Sequence, residues 1–175
     1  MTKDVIDAIN DRRSIREFTA DDVPEATVTR LLEAACRAPS AGNRQPWFFY
    51  LVRAQKVKSA LARAAYDQRF LEEAPWVIVV CAEPERSAER YGKRGRELYC
   101  IQDTAAAVQN ILLAADGFGL GTCWVGAFDE MRAAQVLEID PEVRRPIAMI
   151  PVGIPASRPS PRARRPVSEV STVIR

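Results

Sequence analysis

From Thr104 to Ala115 the chain reads TAAAVQNILLAA, with Thr104, Gln109 and Asn110 as its polar positions. Alanine and leucine at this density favour a helix, and a helix that is apolar nearly all round must be covered on more than one side. A single sheet cannot do that. The pattern leaves two arrangements open: a central helix buried within one chain, or a helix that meets a second subunit.

The other apolar runs differ in kind. Trp47–Val52, Trp76–Ala82 and Pro146–Val152 are short, continuous and rich in β-branched or aromatic residues, which predicts strands covered on both faces. Helices are expected between them. Val5, Ala8 and Ile9 mark one from residue 3 to about 11, and Val28, Leu31, Leu32 and Ala35 mark another from Pro24 to about Arg37. Two more lie around Val57, Leu61 and Ala64, and around Ala133, Val136 and Leu137 behind an Asp129 cap. A length of 175 residues fits one domain, 1–175, with a sizeable core.

Beyond Val152 the character changes. Pro151, Pro155, Pro159, Pro161 and Pro166 alternate with Arg158, Arg162, Arg164 and Arg165, so residues 154–175 are expected to run as an extended tail. Val167–Ile174 regains a β-like content and is expected to dock, on this chain or on a partner.

Composition removes several functions. The chain has no histidine, which excludes Ser-His-Asp and Cys-His catalysis and the commonest metal ligand. Difficult chemistry must then come from other side chains or from a cofactor. The 25 Lys and Arg against 23 Asp and Glu give +2, which argues against a nucleic-acid partner despite the basic tail. The four cysteines, Cys36, Cys81, Cys100 and Cys123, are widely spaced and are expected to be buried free thiols of a reducing cytoplasm. Met1-Thr2-Lys3-Asp4 begins no apolar leader, and no run approaches the roughly 20 apolar residues of a membrane span.

Three segments concentrate chemistry. Arg12-Arg13-Ser14-Ile15-Arg16-Glu17-Phe18 places three guanidiniums and a hydroxyl within five residues, suited to phosphate oxygens, although Arg clusters beside acids such as Asp4, Asp7 and Asp11 are often merely solvated. Pro39-Ser40-Ala41-Gly42-Asn43-Arg44-Gln45-Pro46-Trp47 is a turn crowded with amides and hydroxyls ahead of a strand; such amides pair with the polar edge of a flat heterocycle. Gly117-Phe118-Gly119-Leu120-Gly121-Thr122-Cys123-Trp124-Val125-Gly126 lets backbone approach a ligand closely. It follows a helix and lacks the glycine spacing of a dinucleotide fingerprint.

Taken with the Ala-rich helix and Val152-Gly153-Ile154-Pro155, these motifs, in this order over nearly the whole chain, resemble the FMN-dependent nitroreductase-like family. The resemblance implies an α+β fold in three layers, α/β/α, with a mixed central sheet flanked by helices. It also implies an intertwined homodimer that exchanges the C-terminal tail and builds two FMN sites at its interface. On that resemblance Arg12, Arg13, Ser14 and Arg16 hold the phosphate and ribityl chain, and Arg162 and Arg164 close over the same phosphate. Pro39, Ser40, Asn43 and Gln45 of the other subunit meet the isoalloxazine, and the backbone of Cys123, Trp124, Val125 and Gly126 passes near its N5. No side-chain base or metal is implied.

The implied activity is ping-pong, with NADH or NADPH as transient hydride donor and a nitroaromatic, quinone or other small molecule as acceptor. The resemblance extends to dehalogenases and a flavin-modifying enzyme, and a flavin carrier without turnover is a further alternative. Acceptor choice would fall to a lid comprising Tyr66–Phe70 and Arg86–Tyr99. There Arg90, Tyr91, Lys93, Arg94, Arg96 and Tyr99 read either as a holder for an anionic or aromatic substrate or as a solvated helical face.

Overall fold

A computed structural model describes residues 3–175; Met1 and Thr2, at the start read above as carrying no leader, lie outside the described residues. The helices are α1 (Val5–Asp11), α2 (Glu25–Ala35), α3 (Gln55–Ala64), α4 (Phe70–Glu73), α5 (Pro84–Arg94), α6 (Cys100–Gly117), α7 (Glu130–Leu137) and α8 (Val167–Val170). The strands are β1 (Trp47–Val52), β2 (Trp76–Ala82), β3 (Gly121–Thr122) and β4 (Arg145–Gly153), in the sheet order β1-β2-β4-β3. No helix among the described residues is long and apolar enough to cross a membrane.

Strand period 2 divides the core in two. Trp76, Ile78 and Val80 of β2 and Ala148, Ile150 and Val152 of β4 face α2 and α6, where Val28, Leu31, Val108 and Ile111 meet them. Their neighbours Val77, Val79, Cys81 and Met149 face the opposite layer, built on Leu61, Leu71 and Ala133 of α3, α4 and α7. Register makes this possible: Ile78 lies opposite Ile150 and, across the other edge, opposite Leu51. The result is the three-layer α+β architecture expected. All strand pairs run antiparallel, and the parallel component is an isolated bridge between Ser14 and Thr122.

Several expectations need correction. β1 is an edge strand whose middle residues are only half-buried: β2 pairs with one edge of it, and no strand among the described residues pairs with the other. Cys36 is exposed at the end of α2, whereas Cys81, Cys100 and Cys123 are buried free thiols as expected; burial pushes the Cys81 thiol up to about 12. The tail does run without regular structure from Ser157 to Arg165, but its end forms one helical turn rather than a strand. Val173 is 78% and Ile174 94% exposed, so this end does not dock on its own chain.

The long helix α6 is covered by the sheet and α2 on one side and by α1 near its C-terminal end. A third strip stays open. Gln102 and Gln109 are exposed and Ile101, Ala105 and Leu113 half-buried along one face, which the 3.6-residue period aligns into a single stripe.

Candidate functional site

Two short pairings fold the N-terminal arm and the start of the tail onto one edge of the sheet. Ile15 N donates to Thr122 O (2.9 Å), and Thr19 N and Ala156 N donate to Ile154 O (2.9 Å) and Glu17 O (3.0 Å). Glycine makes the approach possible. A Cβ on Gly121 would stand 2.8 Å from Ile15 Cγ2, and one on its cross-strand partner Gly153 would stand 2.7 Å from Phe18 Cδ1. The Gly-rich segment thus spends Gly121 on the chain's own arm. A ligand was the sequence-based expectation.

The consequence is a cavity of about 310 Å³ lined by Asn10, Arg12, Arg13, Ser14, Arg16, Pro159, Ser160, Pro161, Arg162 and Arg164. Guanidiniums from the two ends of the chain converge there, and its lining holds no carboxylate. The nearby acids are occupied elsewhere: Asp4 caps α1, Asp11 pairs with Lys3 (2.9 Å), and Asp116 pairs with Lys3 (2.6 Å) and Arg158 (3.4 Å). No acid lines the cavity, so its arginines are not neutralised within it. Asn10 and Ser160 were missed in the sequence because each becomes recognisable only when the tail folds back.

Cys123–Gly126 adjoins this cavity. Cys123 is buried, and burial holds its thiol above the ordinary value against the opposing influence of Arg16, a Ser14 hydrogen bond and Arg12. It is a neutral packed group. Val125 N donates to Met149 O and Met149 N to Val125 O, both at 3.0 Å, so among these backbone groups the N–H of Val125 is already taken. Trp124 is 38% exposed beside Gly126. The Arg16 guanidinium also lies 5.7 Å from the centroid of the Phe70 ring, which brings the Tyr66–Phe70 segment to the same edge.

Pro39, Ser40, Asn43 and Gln45 stand elsewhere. The turn is organised from within: Gln45 N donates to Ser40 Oγ (3.0 Å), and Gly42, Asn43 and Gln45 all adopt positive φ. Ala41 N donates to both carboxylate oxygens of the buried Asp103 (3.1 Å each), whose desolvation raises its pKa. Asp103 sits near the start of α6 and Asp116, beside the arginine cavity, near its end. Thirteen residues at about 1.5 Å each separate the two by roughly 20 Å. One chain therefore holds the amide turn and the arginine cavity toward opposite ends of its central helix.

The amide turn is also clasped to α5. Arg44 Nε donates to Arg86 O (2.7 Å), Arg86 Nε donates to Arg44 O (2.6 Å), and Arg44 pairs with Glu89. A Cβ on Gly42 would lie 2.5 Å from the Tyr91 hydroxyl and 3.2 Å from Arg90. The charged Arg86–Tyr99 segment is thus no detached face; it rests on the turn.

The sequence profile of the nitroreductase family matches residues 9–68 and 59–154. A candidate NADH dehydrogenase/NAD(P)H nitroreductase of Methanothermobacter thermautotrophicus is 35% identical over 162 residues, 91% of this chain and 81% of that one. Among solved structures, a candidate nitroreductase from Desulfovibrio desulfuricans in complex with FMN is 33% identical, covers all of this chain and 99% of its own, and superposes with a TM-score of 0.87. The NADPH:FMN oxidoreductase of Vibrio harveyi, complexed with NAD+, is 25% identical over 98% of this chain and 77% of that one, at a TM-score of 0.88.

Proposed function

The chain belongs to the nitroreductase family, and from that premise we propose that it is an FMN-dependent oxidoreductase. It takes hydride from NADH or NADPH and passes it to a small acceptor such as a nitroaromatic or quinone, donor and acceptor occupying the same space in turn. The observation that carries this reading is the cavity of Arg12, Arg13, Arg16, Arg162 and Arg164 with no acid in its lining. A phosphate monoester, doubly charged and ringed with acceptor oxygens, matches planar guanidinium forks and the Ser14 hydroxyl.

FMN, when bound, supplies the hydride chemistry at its N5, for which a protein without histidine need provide only binding, orientation and electrostatics. Arg12, Arg13, Ser14, Arg16, Arg162 and Arg164 are read as the holders of the phosphate and ribityl chain. Pro39, Ser40, Asn43 and Gln45 are read as the grip on the ring. Between them the Cys123–Gly126 backbone offers the N–H groups of Trp124 and Gly126 to the ring, that of Val125 being spent on Met149.

The roughly 20 Å between the turn and the cavity, read as two half-sites, supports a homodimer. Two α6 helices packed antiparallel about a two-fold axis through the open stripe would set the turn of one subunit beside the arginine cavity of the other. Val5 and Ile6, each 59% exposed, and Ile9, 51% exposed, extend the same apolar surface on α1, and the exposed tail end is read as the exchanged segment.

The test is absorbance between about 350 and 500 nm before and after anaerobic NAD(P)H. An oxidised flavin that bleaches and returns in air supports the enzyme. A yellow protein that the nucleotide fails to bleach would make it a flavin carrier, and a colourless one that takes up no added FMN would end the reading.

A further inference from the structure

The arm Arg86–Tyr99 carries five cations, and its ion pairs divide them. Arg86 faces Glu83 (4.0 Å), Lys93 faces Glu97 (3.8 Å) and Arg96 is held by both oxygens of Glu85 (2.7 Å each). Glu89, the remaining carboxylate of the arm, is taken by Arg44. Arg90 and Arg94 have no carboxylate within ion-pair distance among the described residues; both lie against tyrosine rings instead. The Arg90 guanidinium is 5.6 Å from the Tyr91 centroid, and that of Arg94 is 5.2 Å from the Tyr99 centroid, with Nε donating to the Tyr99 hydroxyl (2.8 Å). Tyr91 and Tyr99 meet edge to face at 5.2 Å.

The two guanidiniums and two rings therefore form one unit, and Gly42 fixes where it stands. Because any side chain at position 42 would strike the Tyr91 hydroxyl and Arg90, the unit is seated directly on the Ser40–Gln45 turn. Resting on the reading of that turn as the grip on the flavin ring, we propose that Arg90 and Arg94 select a planar aromatic acceptor bearing a carboxylate, with Tyr91 and Tyr99 flanking its ring. The pairing of the arm's other charges matters here. With every carboxylate of the arm occupied, an incoming anion meets two cations whose charge is not already neutralised, and an aromatic body meets rings able to pack against it.

The probes are 4-nitrobenzoate and 4-nitrobenzamide, which share ring and nitro group and differ in charge. Dissociation constants measured on the flavin-loaded protein by calorimetry, without turnover, are expected to favour the acid. The double variant Arg90→Gln/Arg94→Gln should lower that preference roughly three- to tenfold. Lys93→Gln, which removes one charge already paired, should leave it in place. An unchanged preference in the double variant, or an equal fall in Lys93→Gln, overturns the proposal. So does a double variant that loses affinity for NADPH relative to NADH while keeping its preference for the acid, since the anion would then be the donor's phosphate. Protein that takes up no FMN overturns the flavin reading and this inference with it, whereas a yellow, bleachable protein with an unaltered preference overturns this inference alone.

Discussion

Arg44 and Arg86 each donate a guanidinium Nε–H to the other's backbone carbonyl, at 2.7 and 2.6 Å, closing a reciprocal clasp between the amide turn and α5. Both ends of the clasp are local in space and distant in sequence. Each such bond is worth about 0.5–1.5 kcal/mol, so Arg44→Ala/Arg86→Ala should cost stability modestly while releasing the arm. Amide hydrogen exchange is expected to accelerate at residues 41–45 and 84–94 and to stay unchanged in β2 and β4.

Gly121→Ala should act on the arginine cavity without touching it. Its Cβ would meet Ile15 at 2.8–3.0 Å through a β-branched side chain that is itself 4% exposed and cannot swing away. Overpacking of this kind costs about 1–3 kcal/mol. The thermal midpoint should fall and FMN affinity with it, because Ile15 lies between Ser14 and Arg16. A variant of unchanged midpoint and affinity would show that the arm is not pressed on β3.

What the sequence made legible was periodicity. The continuous runs of β2 and β4 and the all-round apolar α6 carry their burial in their own residues, and three of the four site segments adjoin because Ile15, Phe18 and Pro155 are drawn to the sheet edge. The half-open side of β1 could not be read from Trp47–Val52, whose content is that of a central strand; position in the sheet order decided it. The seating of Arg90 and Tyr91 on Gly42 was equally hidden, since a charged amphipathic segment looks the same whether solvated or docked. Exposure of Cys36 follows from its place just past the last turn of α2, beyond the buried stripe.

Lys58 predicts a pH dependence. It is buried, with Nζ donating to Ala74 O (2.5 Å), and its pKa is lowered by desolvation and then by the charge of Arg53, against a smaller opposing influence of Glu72. Between that lowered value and the ordinary 10.5, the unfolded chain binds more protons than the folded one, so stability rises with pH across the window and levels off above it. The urea midpoint of the wild type should gain on that of Lys58→Met as pH is raised towards 10.5. A constant gap would mean that Lys58 is not desolvated in solution.

Arg12→Ala/Arg164→Ala should separate binding from folding. Charge-assisted hydrogen bonds contribute about 1.5–3 kcal/mol each, so FMN affinity is expected to fall by on the order of a hundredfold or more. The ligand-free variant should be no less stable than the wild type, because neither arginine has a carboxylate partner among the described residues and their removal relieves repulsion within the cavity. Added FMN should raise the melting temperature of the wild type alone. Retention of FMN by the variant would mean that the phosphate lies elsewhere.

Ala105→Arg tests whether the two half-sites are joined by a second subunit. Ala105 lies in the open stripe of α6, flanked one turn away by Ile101 and Gln109 and two residues past Asp103. An arginine there fits solvent as well as alanine does but cannot be buried against an identical helix without stranding an unpaired charge in each half of the contact. The variant should sediment as a monomer with unchanged far-ultraviolet circular dichroism, and it should lose FMN although every arginine of the cavity is intact. The loss follows from geometry, since the turn on Asp103 and the cavity beside Asp116 are too far apart in one chain to grip the same ring and phosphate. A monomer that still holds FMN tightly would show instead that one chain suffices.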